Sequence, residues 1–296
     1  MKLRHAFAGV AWAIVGAVLA LGQVPPPGPR TSRPTLFLVG DSTANHGNRL
    51  GWGEPFPDYF DLARINIVNR ACACSARTFF DESRWNKIMA VLKPGDYVLI
   101  QFGHNDIGVP NQFPGRADLP GTGDEAKMFA MPDGKTEMVH TFGWYIRRFV
   151  QDAKRTGAYP IVLSPTARDV WTNGKVERGL GDGEFGRWSQ AVAEAEEVPF
   201  VDVTNIIADV YERIGQEPTN PLFFGDGTHS SQSGADLNAS LVVAGLKGIG
   251  SPLAQLLTAR GEAVVVPSSL GNSDSPVAQQ GTFLYLMKRS RRAVSP

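Results

Sequence analysis

Thr35-Leu36-Phe37-Leu38-Val39-Gly40-Asp41-Ser42-Thr43 begins as an unbroken apolar run and ends, at a glycine, in polar turn residues. A strand with one wet face alternates apolar and polar side chains, whereas one covered on both faces does not. Residues 35–39 therefore predict an inner strand of a parallel sheet. Four later stretches repeat the theme: Ile65-Asn66-Ile67-Val68, Tyr97-Val98-Leu99-Ile100, Pro160-Ile161-Val162-Leu163 and Phe200-Val201-Asp202-Val203. Helical spacing fills some of the intervals. Met138, Phe142, Ile146, Phe149, Val150 and Ala153 share one helical face before a stop at Gly157, and a second helix runs from Asn205 to Ile214, stopped by Gly215. A third starts at Ser233, which fits a capping box with Asp236, and continues through Leu237, Leu241, Val242 and Leu246. This alternation implies an α/β fold: a parallel sheet with helices on both faces and functional groups beyond the carboxyl ends of its strands. There is no internal repeat and no sign of a second domain.

The flanks read differently. Lys2, Arg4 and His5 precede an apolar run of 16 residues, 6–21, and Ala20-Leu21-Gly22 offers the small residues a signal peptidase inspects. The run is short for a membrane span, so an export signal over residues 1–22 is preferred to an uncleaved anchor. A linker over 23–34, with Pro25-Pro26-Pro27-Gly28-Pro29, leads into a domain over 35–257. Residues 258–296 read as a mobile tail, apart from a strand pattern at Thr282-Phe283-Leu284-Tyr285-Leu286. The expectation is a secreted or periplasmic monomer with no stable membrane insertion once the signal is removed.

Of the 296 residues, 43% are hydrophobic and 20% charged, the range of a globular chain. Lys plus Arg equals Asp plus Glu at 29 each, which argues against a nucleic-acid partner. Cys72 and Cys74 are the only cysteines. A bridge across one intervening residue would be strained, so they read as two small buried thiols, and two cysteines alone do not make a zinc site. Residues 107–133, rich in Gly and Pro, are too long for a plain connection.

Three blocks carry chemistry: Gly40-Asp41-Ser42-Thr43 after the first strand, Gly103-His104-Asn105-Asp106 after the third, and Asp226-Gly227-Thr228-His229 before the last helix. Each alone has an ordinary reading, as a turn, an Asn-Asp turn or a loop histidine. Together they supply a hydroxyl nucleophile, an amide donor, and a carboxylate three residues before an imidazole, in reach of its Nδ1. Such a set performs acyl transfer.

With these blocks go Gly51-Trp52-Gly53, Asn69-Arg70-Ala71, Ser75-Ala76-Arg77-Thr78-Phe79, Lys93-Pro94-Gly95-Asp96-Tyr97-Val98, His140-Thr141-Phe142-Gly143-Trp144-Tyr145 and Ser164-Pro165. From about Thr35 to about Leu257 the chain resembles the SGNH (GDSL-type) hydrolases, and within them is similar to rhamnogalacturonan acetylesterases. The resemblance implies a three-layer α/β/α fold with a central five-stranded parallel sheet, flavodoxin-like in layout, and an esterase without metal or cofactor. It makes Ser42 the nucleophile, His229 the general base and Asp226 the orienting carboxylate. Its oxyanion hole maps to the Ser42 N–H, the Asn105 side-chain amide and an N–H of the second block. There the family has a glycine and this chain, one residue shorter, has Cys74, whose side chain would narrow an acyl pocket.

Trp144 reads as core, while Trp52 and Trp171 are candidates to touch substrate. The function implied is an exported serine esterase that removes O-acetyl groups from an acetylated plant cell-wall polysaccharide of pectic, rhamnogalacturonan type. Two alternatives stand beside it: a lipase or thioesterase of the same superfamily acting on longer acyl groups, and a polysaccharide-binding protein that has kept the fold and lost catalysis.

Overall fold

The computed structural model describes residues 33–45, 51–180 and 184–267. The export signal, most of the linker and the tail from 268 onward, including the strand pattern at Thr282–Leu286, lie outside the described residues. Five strands form one parallel sheet: β1 (Thr35–Gly40), β2 (Asn66–Asn69), β3 (Tyr97–Gln101), β4 (Tyr159–Leu163) and β5 (Phe200–Val201). Their order is β2-β1-β3-β4-β5. The chain therefore moves outward from β1 to β2 and returns across β1 to β3. Its topological switch point lies between the carboxyl ends of β1 and β3, where open α/β sheets place their ligands.

The continuous apolar runs pack both faces at once, as period-two geometry requires. Leu36, Leu38, Leu99, Ile161 and Leu163 join a core beneath α5 (Val203–Ile214) and α6 (Gln232–Gly248). Phe37, Val39, Val98, Ile100 and Val162 face the opposite core, filled by α1 (Ala76–Asp81), α2 (Arg84–Met89), α3 (Phe142–Arg155) and α4 (Phe185–Ala195). The three-layer α/β/α sandwich is thus the observed fold.

Local chemistry moved several predicted boundaries. Met138 lies on a strand, Thr136–His140, paired with Ala126–Ala130 as an antiparallel hairpin; α3 begins only after Thr141, whose side chain caps it by accepting from the Trp144 N–H. Residues 107–133 are therefore partly hairpin. Helix α6 is capped by Ser231, not Ser233: the Ser231 hydroxyl accepts from Gly234 N–H, and Asp236 instead binds Arg260. Asp202 ends β5 early by capping α5. The packed chain also continues past Leu257, where the domain had been expected to end. Thr258 N–H donates to Tyr59 O at 3.0 Å, a helical turn spans Ala259–Glu262, and the Arg260 guanidinium lies 4.3 Å over the Tyr59 ring.

Candidate active site

The turn after β1 is held from several directions. Asp41, fully buried, accepts from the N–H and hydroxyl of Thr43 with one oxygen, at 2.9 and 2.7 Å. Its other oxygen faces the His104 backbone N–H at 3.2 Å and the ring Nδ1 at 3.0 Å. Burial alone would raise this carboxyl, but the His104 ring and the Thr43 donors hold it below the ordinary Asp value. Trp52 N–H donates to Thr43 O, and Asn69 Nδ2 donates to Ala44 O. A Cβ on Gly51 would sit 2.2 Å from the Ala44 carbonyl carbon, so only glycine lets this segment lie on the turn.

Ser42, 4% exposed, projects from that turn. Its Oγ lies 2.9 Å from His229 Nε2, and His229 Nδ1 lies 2.6 Å from Asp226 Oδ2. The carboxylate only accepts, so Nδ1 carries the proton and Nε2 presents a lone pair to the hydroxyl. The last block folds as a tight loop. Phe224 N–H donates to His229 O, Gly227 adopts φ +65°, and the second Asp226 oxygen accepts from the Thr228 and His229 N–H groups, both at 2.9 Å. Burial pushes Asp226 upward, yet the donors from His229 and Thr228 outweigh it and hold the carboxyl at about 2.

The middle block enters through Gly103, whose φ of +145° and contact with Pro165 exclude a side chain. Asp106, buried, accepts from Gly103 N–H at 2.9 Å and from Ala76 N–H at 2.7 Å. Asn105 points its Nδ2 at Cys74 O, 3.2 Å away, which leaves one amide proton uncommitted to that bond. Asp118 lies beside Asp106 with its carboxyl buried. Burial drives both acids upward, Asp106 to about 7 and Asp118 well above its usual value, so one proton is shared between them.

Two expectations fail at the second block. Cys72 and Cys74 form a disulfide, with Cα atoms 5.3 Å apart. Cys74 N–H donates to Cys72 O at 2.7 Å, a γ-turn that shortens the extended spacing into the range a bridge spans. The same bond occupies the Cys74 N–H, which therefore does not point at an oxyanion. Ala73 N–H, at the apex of the turn, has no partner among the described residues, nor has Ser42 N–H. Trp52 is also withdrawn from substrate: it is 1% exposed and donates its Nε1 to Gln101 Oε1. Trp171 is half-buried, bonded to Asp169, whose N–H donates to Gly227 O beside the last block.

Sequence reading passed over Arg77, although it sits inside one of the quoted blocks. Its buried guanidinium donates to Ala117 O, Gly115 O and Glu137, pinning the long loop and the hairpin to α1. It also passed over Arg116 and Phe113 on that loop. They line a cavity of about 120 Å³ that includes Asn105. No spacing rule marks such residues.

Ser42, His229 and Asp226 thus meet in one hydrogen-bonded row beyond the end of β1, on a parallel sheet of order 2-1-3-4-5. The sequence model of the GDSL-like Lipase/Acylhydrolase family matches residues 38–237, and the chain belongs to that family. A rhamnogalacturonan acetylesterase of Emericella nidulans is 32% identical over 76% of this chain and 89% of its own length. The probable rhamnogalacturonan acetylesterase YesY of Bacillus subtilis is 28% identical, over 74% and 95%. Among solved structures, protein YxiM of Bacillus subtilis superposes with a TM-score of 0.59 at 25% identity, over 74% of this chain and 57% of that one. Axe2, an acetylxylan esterase of Geobacillus stearothermophilus, shares the fold at 18% identity, with a TM-score of 0.50 over 74% and 95%.

Proposed function

We propose that this carboxylic ester hydrolase is exported and removes O-acetyl groups from an acetylated pectic polysaccharide of the rhamnogalacturonan type. The observation that carries the reading is the continuous chain Ser42 Oγ, His229 Nε2, His229 Nδ1, Asp226 Oδ2, with links of 2.9 and 2.6 Å. The acetyl and pectic parts rest on the two relatives just described.

Ser42 Oγ attacks the acetyl carbonyl carbon as its proton passes to His229 Nε2, and Asp226 holds the ring that becomes charged. The carbonyl oxygen turns into an oxyanion, received by Ser42 N–H and the free amide proton of Asn105. The Ala73 N–H takes the place the family gives to a glycine, because Cys74's is occupied. His229 returns the proton to the departing sugar oxygen, leaving acetyl-Ser42. Water, deprotonated by His229, then releases acetate and restores the hydroxyl.

The test is acetate release by the purified protein from acetylated pectin, xylan and mannan, with Ser42→Ala as control. Rhamnogalacturonan-type pectin should be preferred. Hydrolysis of p-nitrophenyl acetate by pure Ser42→Ala at the parent rate ends the serine mechanism; preference for octanoate over acetate esters moves the chain to the longer-acyl class.

A further inference from the structure

Arg116 stands apart from Arg77, the α1 arginine that holds its loop. Arg77 spends its guanidinium on two carbonyls and Glu137. Arg116 has one bond, Nη1 to Ala73 O at 2.8 Å, and its buried Nε has no partner among the described residues. That single bond fixes the guanidinium against the turn whose next carbonyl, Cys74 O, receives the Asn105 amide. Charge and oxyanion donor therefore flank one turn and share one cavity. Phe113 stands at the same cavity, 94% exposed, with Ile107 and Val109 half out of the surface. A guanidinium with spare donors presents a fork that matches a carboxylate, and an exposed aromatic face suits the C–H side of a pyranose.

Resting on the esterase reading above, we propose that Arg116 and Phe113 form a subsite for a uronic-acid unit. Arg116 binds its carboxylate and Phe113 stacks on its ring, so that the acetyl ester presented to Ser42 lies on or beside an acidic sugar. Arg116 and Phe113 then set specificity and take no part in bond breaking.

The test compares acetate release from acetylated rhamnogalacturonan with release from the same polymer after its carboxylates are reduced to neutral hydroxymethyl groups. The parent protein at low ionic strength should favour the acidic polymer in kcat/KM by about tenfold, the scale of one charge-assisted contact, and through KM. Arg116→Gln should bring that ratio to about one, Arg116→Lys should restore part of it, and Phe113→Ala should raise KM for both polymers. Serine titration with a fluorophosphonate counts competent sites, and the ratio is internal to each variant, so a loss of folded protein does not mimic the effect. An unchanged ratio in Arg116→Gln, or no preference in the parent, overturns the subsite while leaving the esterase intact. No acetate release from either polymer by a parent that still cleaves p-nitrophenyl acetate overturns the pectic reading and the subsite with it; no cleavage of p-nitrophenyl acetate either overturns the esterase reading itself.

Discussion

Asp41 and His104 form a buried ion-pair geometry that joins the nucleophile turn to the middle block: the His104 Nδ1 sits 3.0 Å from Asp41 Oδ2, and its Nε2 sits 3.1 Å from Thr166 O. Both ring nitrogens face oxygen atoms. One ring thereby ties together the turns after β1, β3 and β4. Removing it leaves the buried Asp41 carboxylate with the Thr43 donors and a backbone N–H but without the ring that faces its second oxygen. His104→Ala should cost about 3–5 kcal/mol in denaturant unfolding. The double variant Asp41→Asn/His104→Ala should lose less than the sum of the two single changes, because it removes the stranded charge as well as its partner.

Asp226 is held at about 2, so it stays ionised across the neutral range, and the orienting charge is lost only as pH falls through that value. Asp226→Asn keeps the shape but removes the charge and the tautomer control. Its kcat should fall on the order of 10²–10⁴-fold with little change in melting temperature, measured as turnover per titrated serine.

On the proposed mechanism, Asn105 offers its second amide proton to a charge that exists only during the reaction. Asn105→Ala should lower kcat about 10²–10³-fold at nearly constant KM. A stability loss near 1 kcal/mol with kcat intact would instead make Asn105 a turn residue and nothing more.

The Asp106–Asp118 pair predicts a pH effect of the opposite sign to a salt bridge. Both folded values lie above the unfolded one, so the folded chain binds more protons, and the pair's stabilisation is full below about pH 4. It drains away as pH rises through about 7, the Asp106 value. Asp118→Asn substitutes a neutral donor for the shared proton. Urea unfolding should find it close to the parent at pH 5 and about 1–2 kcal/mol more stable at pH 8. Parallel pH curves for the two proteins would refute the shared proton.

The bridge between Cys72 and Cys74 closes too short a loop to stabilise much by chain entropy, on the order of 1–2 kcal/mol. It carries the carbonyls that hold Asn105 and Arg116, however. Dithiothreitol should therefore lower kcat several-fold while shifting the melting temperature only slightly.

Elements whose packing follows from local pattern were legible in the sequence: residues 36–39, Leu-Phe-Leu-Val, have no polar side chain to give either face, so an inner strand was the consistent reading. The same holds for the meeting of the first, middle and last blocks, since two follow strands that flank the switch point. What failed depended on geometry a one-dimensional pattern does not carry. The Cys72–Cys74 bridge needed a γ-turn at Ala73. Met138 fitted the helical face, but a strand eight or more residues upstream offered it a ladder, and Thr141 began the helix afresh. Trp52 looked accessible for being near Ser42; its indole N–H found Gln101 on β3 and turned inward.

Ser42 and His229 touch across 187 residues of chain. During synthesis the proposed nucleophile thus emerges long before its proposed base, and at about 5–20 residues per second the wait is on the order of 10–40 s. For that interval the growing chain has a serine turn and no means of activating it. On the proposed mechanism, any product cut short before His229 is inert, and hydrolytic capacity arrives in one step, when the last block closes on Ser42.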